Sequence, residues 1–598
     1  MVLETNIPYL ESLKNIIDIR QMPFSTRGSR LTLSLTERGL MIRLIDRVRN
    51  LDGRSQRNRG RQPIVEDLVF LDDSGNPLPF TIETYPHRLD FNTPLGQFSL
   101  IFDDIETILI RLPELACGFR GVVNLPIGVE ERRGAVFSYQ GDDRTRFTYT
   151  TNRAISRNQL TEIQPGRWRI DLMVKAGEPG GLLFNITSRL GLNHYIPEIR
   201  NAFYRAAQTW EDWFARVPKV APEYQKIYYF AWWVMRSGLV STRYHITREV
   251  MASSKVLSYA IWQWDAYFHA LAFRHIDRKL AHDQLRIFLD HQRSQGMLPD
   301  AVHDDGVITH FGPTIEVDVS KPPLLTWIAW KLFESDQDKE FLSEIYENLV
   351  RWNEWWLKSS EQDADGLYEV PRLIPGDMDD PSFVEDDRSV VSPDLNTYLY
   401  LQMESLSKIA HVLGEDEAAA IWQERANVLL GQMQDQLWDG QAGLFWAQQQ
   451  GRPICVPTPF SLFPLLTGKL EPEISRKLVE HLSDPEGFWN HYPMPAVALD
   501  DPDFENLSLW QGPSWVSINY LLMEGLDRSG YQTIADDLCE RTLNLLAEQI
   551  VEGKGLSPEE KEGNHLRIRN APIYGWSAAL YIELAVRASR RKLLKTDS

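Results

Sequence analysis

Two acidic stretches of the sequence carry carboxylates in settings that could support acid–base chemistry. The first, residues 374–383, reads IPGDMDDPSF and places Asp377, Asp379 and Asp380 among two prolines and a glycine. Such residues break regular structure, so we predict an exposed loop whose carboxylates a ligand can reach. The second, residues 557–562, reads SPEEKE and by itself is typical of a solvated surface. Paired carboxyl groups suit cleavage of a glycosidic bond, which needs one protonated acid and one base or nucleophile.

Three tryptophan-bearing stretches accompany these carboxylates. They are residues 262–269 (WQWDAYFH), 510–515 (WQGPSW) and 574–579 (YGWSAA). Sugar-binding sites use flat aromatic faces against pyranose rings, and the chain holds 19 tryptophans, most of which we assign to the core. Asp265 lies at a predicted helix start, where it could cap backbone N–H groups or accept a hydrogen bond from a sugar hydroxyl. Both interpretations of Asp265 stay open at this point.

Other motif-like stretches receive structural interpretations. Residues 296–300 (GMLPD) and 321–324 (KPPL) fit a helix entrance, because proline is favoured at the first helical position. Residues 363–366 (DADG) lack the remaining ligands of a calcium loop and are predicted to form a turn. The basic stretch at 54–61 is interpreted as a solvated hairpin tip.

Composition disfavours several classes of protein. A net charge of -20 over 598 residues would repel nucleic-acid phosphates. No stretch has the roughly 18 uncharged apolar residues of a membrane span, and no signal peptide is expected. Cys117, Cys455 and Cys539 have neither metal-site nor disulfide spacing, which favours a reducing, cytoplasmic location. The sequence holds no P-loop, dinucleotide fingerprint, nucleophile elbow or zinc helix, and we expect neither metal nor cofactor.

The elements that must position these stretches change character near residue 190. Before it the sequence predicts short strands separated by turn sequences such as DSGNP and EPGG, a pattern typical of an all-β sandwich. The predicted strands cover residues 31–35, 40–45, 98–102, 107–112, 135–139, 146–151, 167–175 and 182–186.

From about residue 196 the hydrophobic period becomes helical. One apolar stripe runs through Phe341, Ile345, Leu349, Trp352 and Trp356. Helices are predicted at 196–217, 222–240, 265–276, 278–294, 322–334, 338–358, 393–413, 415–437, 459–466, 471–483, 511–528, 531–550 and 575–592. The long links are 295–320, 360–392, 438–458, 484–510 and 551–574.

Short and long links alternate, so antiparallel helix pairs would collect the long links on one face of the molecule. We therefore predict a multidomain α and β protein. Its expected parts are an N-terminal β-sandwich domain at 1–192, a linker helix at 193–221 and an (α/α)6-barrel catalytic domain at 222–598.

Taken in order, the tryptophan and carboxylate stretches resemble the motifs of glycoside hydrolase family 63 and its mannosylglycerate- and glucosylglycerate-hydrolase-like members. The family forms are W-x-W-D-x-x-F-H, G-M-D-N-S-P, W-R-G-P-x-W and a glutamate ahead of a W-S-A-A helix. These four motifs recur in the same order over residues 222–592. Trehalases of the same clan are similar at several of these points.

The resemblance implies roles for individual residues. Asp379 falls on the aspartate of M-D-N and takes the place of the general acid. Glu559 falls on the base position, judged by its distance from the W-S-A-A helix. Substrate-binding positions fall on Trp262, Trp264, Asp265, Phe268, His269, Trp510, Gln511, Gly512, Trp515 and Trp576.

The chain departs from the family motifs at several positions. Pro381-Ser382 inverts the usual S-P, and Asp377 replaces a glycine. Gln511 stands where arginine is common. Asp377 and Asp380 therefore remain alternatives to Asp379, and Glu560 remains an alternative to Glu559.

The function implied by the resemblance is exo-acting, inverting hydrolysis of an α-glucosidic or α-mannosidic bond in a small oligosaccharide or sugar conjugate. Asp379 would protonate the departing oxygen while Glu559 deprotonates the attacking water. The expected partner is a small carbohydrate, with no nucleic acid and no membrane. The alternatives are a phosphorylase on the same barrel, a trehalase-like disaccharide hydrolase and a non-catalytic carbohydrate-binding protein.

Overall fold

Strands make up the N-terminal third of the chain and helices most of the remainder. The last strand of the large sheets ends at Thr187 and the first long helix begins at Ile199, which confirms the change predicted near residue 190. The computed structural model describes residues 8–45, 62–139, 144–189, 191–255, 259–309, 320–361, 366–370, 389–504, 514–551 and 575–596. The basic stretch at 54–61 lies outside these ranges.

Two antiparallel sheets occupy the N-terminal region. Their strands are β1 Leu31–Thr36, β2 Gly39–Leu44, β3 Val65–Leu71, β4 Thr81–Thr84, β5 Arg88–Thr93, β6 Gly96–Asp104, β7 Thr107–Arg111, β8 Cys117–Val123, β9 Ile127–Glu131, β10 Gly134–Ser138, β11 Arg146–Thr151, β12 Ile155–Gln164, β13 Arg167–Val174 and β14 Gly181–Thr187. The six-stranded sheet has the order β1-β2-β3-β8-β13-β12, and the eight-stranded sheet the order β4-β5-β6-β7-β14-β11-β10-β9.

The two sheets pack face to face through aromatic side chains. Phe70 of β3 stacks on Phe98 of β6 with ring centroids 4.2 Å apart. Phe119 of β8 meets Phe184 of β14 edge-on at 5.4 Å. Such pairs stabilise a core beyond the area that they bury, so they fix the sheets against each other.

The eight predicted strands are confirmed, and the structure adds β3, β4, β5, β8, β9 and β12. The strand β12 is mostly exposed and so lacks the alternation of apolar residues that reveals a strand. The strand β8 contains Gly118, which in a sequence argues against a strand. In the structure Gly118 is required, because a Cβ there would collide with the carbonyl oxygen of Leu172 on β13.

Thirteen α-helices lie within the described residues, twelve of them in the C-terminal two-thirds. They are α1 Pro8–Ser12, α2 Ile199–Phe214, α3 Gln225–Gly238, α4 Gln263–Phe273, α5 Arg278–Leu289, α6 Leu325–Asp336, α7 Lys339–Ser360, α8 Pro393–Leu413, α9 Asp416–Gln436, α10 Pro472–Leu482, α11 Val516–Arg528, α12 Gln532–Val551 and α13 Gly575–Thr596. Short 3₁₀ helices lie at Pro222–Tyr224 and Pro459–Thr467.

Short strands also lie within the helical region. They are β15 Leu239–Val240, β16 Val250–Met251, β17 Ile261–Trp262, β18 Ala301–His303, β19 Gly306–Ile308, β20 Glu369–Val370, β21 Val390–Val391, β22 Trp438–Asp439, β23 Leu444–Phe445, β24 Ala447–Gln449 and β25 Arg452–Ile454. The strands β17, β18 and β19 form a three-stranded sheet.

The helical period predicted these elements well. The apolar stripe of α7 is buried as expected, and α8 begins at Pro393 with the Ser392 side chain accepting a hydrogen bond from Leu395 N. Several predictions differ in detail. The helix predicted at 278–294 ends at Leu289. The segment at 459–466 is a 3₁₀ helix, and the helix predicted to begin at 511 begins at Val516.

Six elements pack around one another in a closed circuit, called here the helix ring. α4 contacts α6, α6 contacts α8, and α8 contacts the 3₁₀ helix Pro459–Thr467. That 3₁₀ helix contacts α11, α11 contacts α13, and α13 contacts α4. Every residue of α4 is buried, as expected for a helix with neighbours on all sides. Four ring helices turn sharply into a following outer helix, so the predicted long links all lead into the N-terminal ends of ring elements.

Buried charged residues link the ring in its C-terminal half. Glu583 of α13 accepts a hydrogen bond from Arg274 at 2.7 Å, and its other oxygen lies 2.7 Å from His275 Nε2. Lys331 of α6 pairs with Glu524 of α11 at 2.5 Å. Burial raises the pKa of Glu583, but Arg274 and His275 outweigh it and lower that pKa to about 2. Ion pairs therefore connect neighbouring ring elements at this end.

No helix within the described ranges combines the length and apolar character needed to cross a membrane.

Candidate active site

The N-terminal ends of the ring helices meet in a chain of aromatic rings. Trp264 and Phe268 of α4 lie 5.4 Å apart, and Trp264 lies 6.0 Å from Tyr398 of α8. On the other side Phe268 contacts Trp576 of α13 at 6.5 Å, and Trp576 contacts Trp515, the residue before α11, at 5.7 Å. Four of the five rings belong to the positions implied to bind substrate, so the fold brings those predicted residues together.

Asp265 sits in this aromatic setting as a buried carboxyl group. It lies in the first turn of α4 and is only 4% exposed. Burial raises the pKa of Asp265 to about 7, although the neighbouring Ser253 hydroxyl and Lys321 ammonium favour its charged form. No side chain caps α4, and Asp265 Oδ1 has no hydrogen-bond partner among the residues that the structure describes. The capping role is therefore not used, and an acceptor is left for a ligand.

A second carboxylate and a lysine lie beside Asp265. Lys321 Nζ is 3.3 Å from Asp300 Oδ1 and 5.9 Å from the centre of the Trp262 ring, which is partly exposed. Gln263 ties these residues together, since its backbone N donates to Asp300 O at 2.9 Å and its Oε1 accepts from Lys321 N at 3.0 Å. Trp262, Gln263, Asp265, Asp300 and Lys321 thus form one polar cluster with an aromatic wall.

Asp300 and Lys321 were interpreted from sequence as parts of a helix entrance. The helix entrance is confirmed for residues 321–324, because α6 begins at Leu325, but it is wrong for residues 296–300, which lead into strand β18 at Ala301. Sequence reasoning missed the role of the two charged residues in the cluster. The sequence shows only that residues 296–300 and 321–324 lie at the two ends of one long link. It does not show that these two ends meet in space.

Asp394 is a further buried carboxyl group that sequence reasoning missed. It lies in the first turn of α8, is 4% exposed, and burial raises its pKa. Its helix also carries Tyr398 of the aromatic chain. Two buried carboxyls at helix N-termini, Asp265 and Asp394, therefore face the same end of the ring.

His269 was implied to bind substrate, and the structure places it one turn below Asp265. Its side chain is fully buried, and burial lowers its pKa to about 3, so the ring is neutral. It packs against the start of α13, where a Cβ added to Gly575 would come 2.5 Å from His269 Nε2. His269 therefore holds α4 against α13, and its role in binding stays a prediction.

The remaining predicted residues, Asp379, Glu559, Trp510, Gln511 and Gly512, lie outside the described residues. In the sequence they precede α8, α13 and α11, whose N-terminal ends carry the aromatic chain. Their alternatives Asp377, Asp380 and Glu560 also lie outside. Their roles stay predictions. Within the described ranges no group of three or more His, Cys, Asp or Glu residues could hold a metal ion.

Comparisons with known proteins identify the family of the chain. The family model described as the mannosylglycerate hydrolase MGH1-like glycoside hydrolase domain matches residues 258–577. The chain is 23% identical over 395 residues to a mannosylglycerate hydrolase of Thermus thermophilus, which covers 53% of this chain and 92% of that protein.

Solved structures show a shared fold. The family 63 mannosylglycerate hydrolase of Thermus thermophilus in complex with glucose superposes with a TM-score of 0.50 at 21% identity, covering 60% of this chain and 100% of that one. A bacterial glucoamylase complexed with acarbose has a TM-score of 0.61 at 10% identity and covers 96% of this chain and 94% of that one. The matched domain spans more than half of the 598 residues and includes the aromatic chain and the buried Asp265. The chain belongs to glycoside hydrolase family 63 and is a glycosidase.

Proposed function

We propose that this protein is an exo-acting, inverting glycoside hydrolase that releases an α-linked glucose or mannose unit from a small oligosaccharide or sugar conjugate. The buried Asp265 carboxyl carries the proposal. Its Oδ1 lacks a hydrogen-bond partner in the described part of the chain and sits among aromatic rings. A sugar matches that setting, because it offers hydroxyls to the carboxylate and C–H faces to the rings.

The proposed architecture is an (α/α)6 barrel preceded by a β-sandwich. The closed circuit of six packed elements and the outer helices that follow them support the barrel. The aromatic contacts between the two N-terminal sheets support the sandwich. In such a barrel the long links surround one mouth, which is where we place the substrate.

Exo action is supported by the ion pairs at the end of the ring opposite the aromatic chain. Glu583 pairs there with Arg274, and Lys331 pairs with Glu524. We propose that the substrate enters from the aromatic end into a pocket that is closed at this far end. Such a pocket reads a chain terminus and excludes internal units of a long polysaccharide.

The proposed mechanism is a single displacement. Asp379 donates a proton to the departing oxygen, and Glu559 removes a proton from water on the opposite face of the sugar. Inversion needs the two carboxyl groups roughly 6.5–9.5 Å apart, with the water between them. The Asp265 carboxyl and the Trp264 ring would hold the sugar while this occurs, so Asp265 binds and does not transfer protons.

A product-release screen tests the proposal. Purified protein is incubated with α-mannosylglycerate, α-glucosylglycerate, trehalose and simple α-glucosides and α-mannosides, with and without inorganic phosphate. We expect free sugar from at least one α-linked conjugate at a rate that phosphate does not change. A sugar 1-phosphate that forms only with phosphate would make the protein a phosphorylase. Preference for trehalose would support the trehalase-like alternative, and sugar binding without release would leave a carbohydrate-binding protein.

A further inference from the structure

A loop of the N-terminal region inserts into the helical region next to the polar cluster. This is the 25–30 loop, which leads into β1. Gly28 pairs in parallel with Val240, with Gly28 N donating to Leu239 O at 2.9 Å and Ser241 N donating to Gly28 O at 3.1 Å. The loop lies outside residues 258–577, the part that matches the family model. Gly28 contacts residues just ahead of the matched part, and Arg30 of the same loop reaches Asp304 inside it.

Arg30 forms a more buried ion pair than Arg27, the other arginine of this loop. Its Nε and Nη2 bond both oxygens of Asp304 at 2.8 and 2.7 Å, and the two side chains are only 6% and 1% exposed. The Tyr259 hydroxyl donates to the same carboxylate at 3.0 Å. A two-pronged guanidinium–carboxylate pair fixes angle as well as distance, and lysine cannot reproduce it.

Asp304 lies in the turn between β18 and β19, and this hairpin builds the polar cluster. At its other end Asp300 N donates to Ile308 O at 2.8 Å, and Asp300 O accepts from the backbone of Gln263. The neighbouring strand β17 places Trp262 opposite Ala301. Arg30 therefore holds the sheet that carries Trp262 and Asp300 without itself reaching the cluster.

A second anchor from the same loop acts on the other side of Asp265. The buried Lys255 donates to Ser29 O at 2.6 Å and to Ser25 Oγ at 3.1 Å. Two residues earlier, Ser253 O accepts from Gly575 N at 2.9 Å, and the Ser253 hydroxyl neighbours Asp265. The 25–30 loop thus contacts both segments next to the Asp265 carboxyl, namely residues 253–255 and the β18–β19 hairpin.

We propose that Arg30 is a positioning residue for substrate binding. Through Asp304 it sets the place of the β17–β18–β19 sheet, and so the distance of Trp262 and Asp300 from Asp265. Arg30 does not touch the sugar. The inference rests on the proposed function, and it makes the N-terminal region part of the sugar-binding unit.

Substitutions at both ends of the contact test this role. Arg30→Lys keeps the positive charge but cannot form the bidentate hydrogen bonds of the guanidinium group. Asp304→Asn keeps the shape of the side chain but removes its negative charge. We expect either change to raise KM for the best substrate of the screen about tenfold, with a smaller change in kcat, because a small displacement of binding groups weakens binding. The effects of the two changes on KM should be less than additive in the double variant, because both disrupt the same ion pair.

The matched control is Arg120→Lys. Arg120 Nε bonds Asp171 Oδ1 at 2.7 Å inside the six-stranded sheet, where neither residue contacts the polar cluster. Loss of stability alone would reduce the folded fraction and hence the apparent kcat, and would leave KM unchanged. We expect that pattern for Arg120→Lys. Equal KM values in Arg30→Lys and wild type would overturn the inference while leaving the hydrolase intact.

Amide hydrogen exchange gives a readout that does not need activity. We expect faster exchange across residues 300–308 in Arg30→Lys than in wild type or Arg120→Lys. If the wild type hydrolyses no sugar of the screen, the proposed function fails. The exchange rate of residues 300–308 then tests the inference by itself, and an unchanged rate in Arg30→Lys would overturn it. If Arg30→Lys does not fold, Tyr259→Phe removes only one hydrogen bond to Asp304. It should raise KM and the exchange rate in the same direction, and no effect on either would overturn the role.

Discussion

At the scale of residues, the environment of Asp265 determines its behaviour. Burial raises the pKa of Asp265 to about 7, whereas an unfolded aspartate has a pKa near 3.8. The folded protein therefore binds the proton more tightly than the unfolded chain does. The stability that this adds is fully present below pH 3.8 and is lost as the pH rises through about 7.

The substitution Asp265→Asn should remove that pH dependence. We expect the difference in unfolding free energy between wild type and variant to shift in favour of the variant from pH 4 to about pH 7, measured by urea unfolding at a series of pH values. Activity should fall by at least about tenfold above about pH 7, where the carboxyl of the wild type is charged and the variant deprives the sugar of a charged acceptor. A variant with full activity would show that Asp265 does not bind the substrate.

The proposed acid is tested by Asp379→Asn. Turnover should fall at least about 10²-fold on substrates with poor leaving groups and much less on activated aryl glycosides, which need little protonation. Asp377→Asn and Asp380→Asn are the controls, and a larger loss in either would move the acid to that residue.

For the base, Glu559→Gln should abolish hydrolysis while Glu560→Gln is nearly silent.

The sequence predicted four of the five members of the aromatic chain and only part of the polar cluster. Trp262, Trp264 and Asp265 stand together in one recognisable motif, so their association is local. Asp300 and Lys321 are separated by about 20 residues from each other and by more from Asp265, and only tertiary packing brings them together. No periodicity or spacing in a single sequence records such a contact.

At the scale of elements, helices were predicted more completely than strands for a physical reason. A helix such as α7 exposes one face and buries another, and its stripe of apolar residues records that burial. The strand β14 is buried throughout and was found as an apolar run, whereas β12 is exposed and was not found. Exposure hid β12, whereas glycine hid β8, a strand that is mostly buried.

The contact of α4 with α13 makes a second prediction at this scale. Gly575→Ala should lower the unfolding free energy by about 1–3 kcal/mol and reduce activity, because the added Cβ meets the His269 ring at 2.5 Å. Gly431→Ala in α9 is the matched control, since nothing lies within 4 Å of its Cβ position and alanine favours helices by about 0.5–1 kcal/mol. If Gly575→Ala were as stable as wild type, the helices would not be held this closely.

At the scale of the whole molecule, the buried ion pairs at the C-terminal end of the ring should govern stability in acid. The pKa of Glu583 is lowered from 4.5 to about 2, so its stabilising contribution is present above pH 4.5 and is lost as the pH falls to about 2. Glu583→Gln leaves Arg274 and His275 with no carboxylate at that position. We expect it to lower the unfolding free energy by about 3–5 kcal/mol at neutral pH.

The control for that change is Glu480→Gln, which removes an exposed ion pair with Arg476. It should change the unfolding free energy by less than about 1 kcal/mol, because exposed pairs contribute little. Chemical denaturation at pH 7 and pH 4 measures both variants. A Glu583→Gln variant as stable as Glu480→Gln at pH 7 would contradict a stabilising role for the ion pairs of Glu583.

The central claim is single-displacement hydrolysis of an α-linked sugar. The ¹H NMR signal of the anomeric proton tests it most directly. The wild-type protein is mixed with the best α-linked substrate of the screen, and spectra are recorded before the released sugar equilibrates in water. Attack by water on the opposite face inverts the anomeric centre, so we expect the β-anomer to appear first and the α-anomer to follow slowly. Release of the α-anomer first would show retention, and Glu559 could not then be the base of a single displacement.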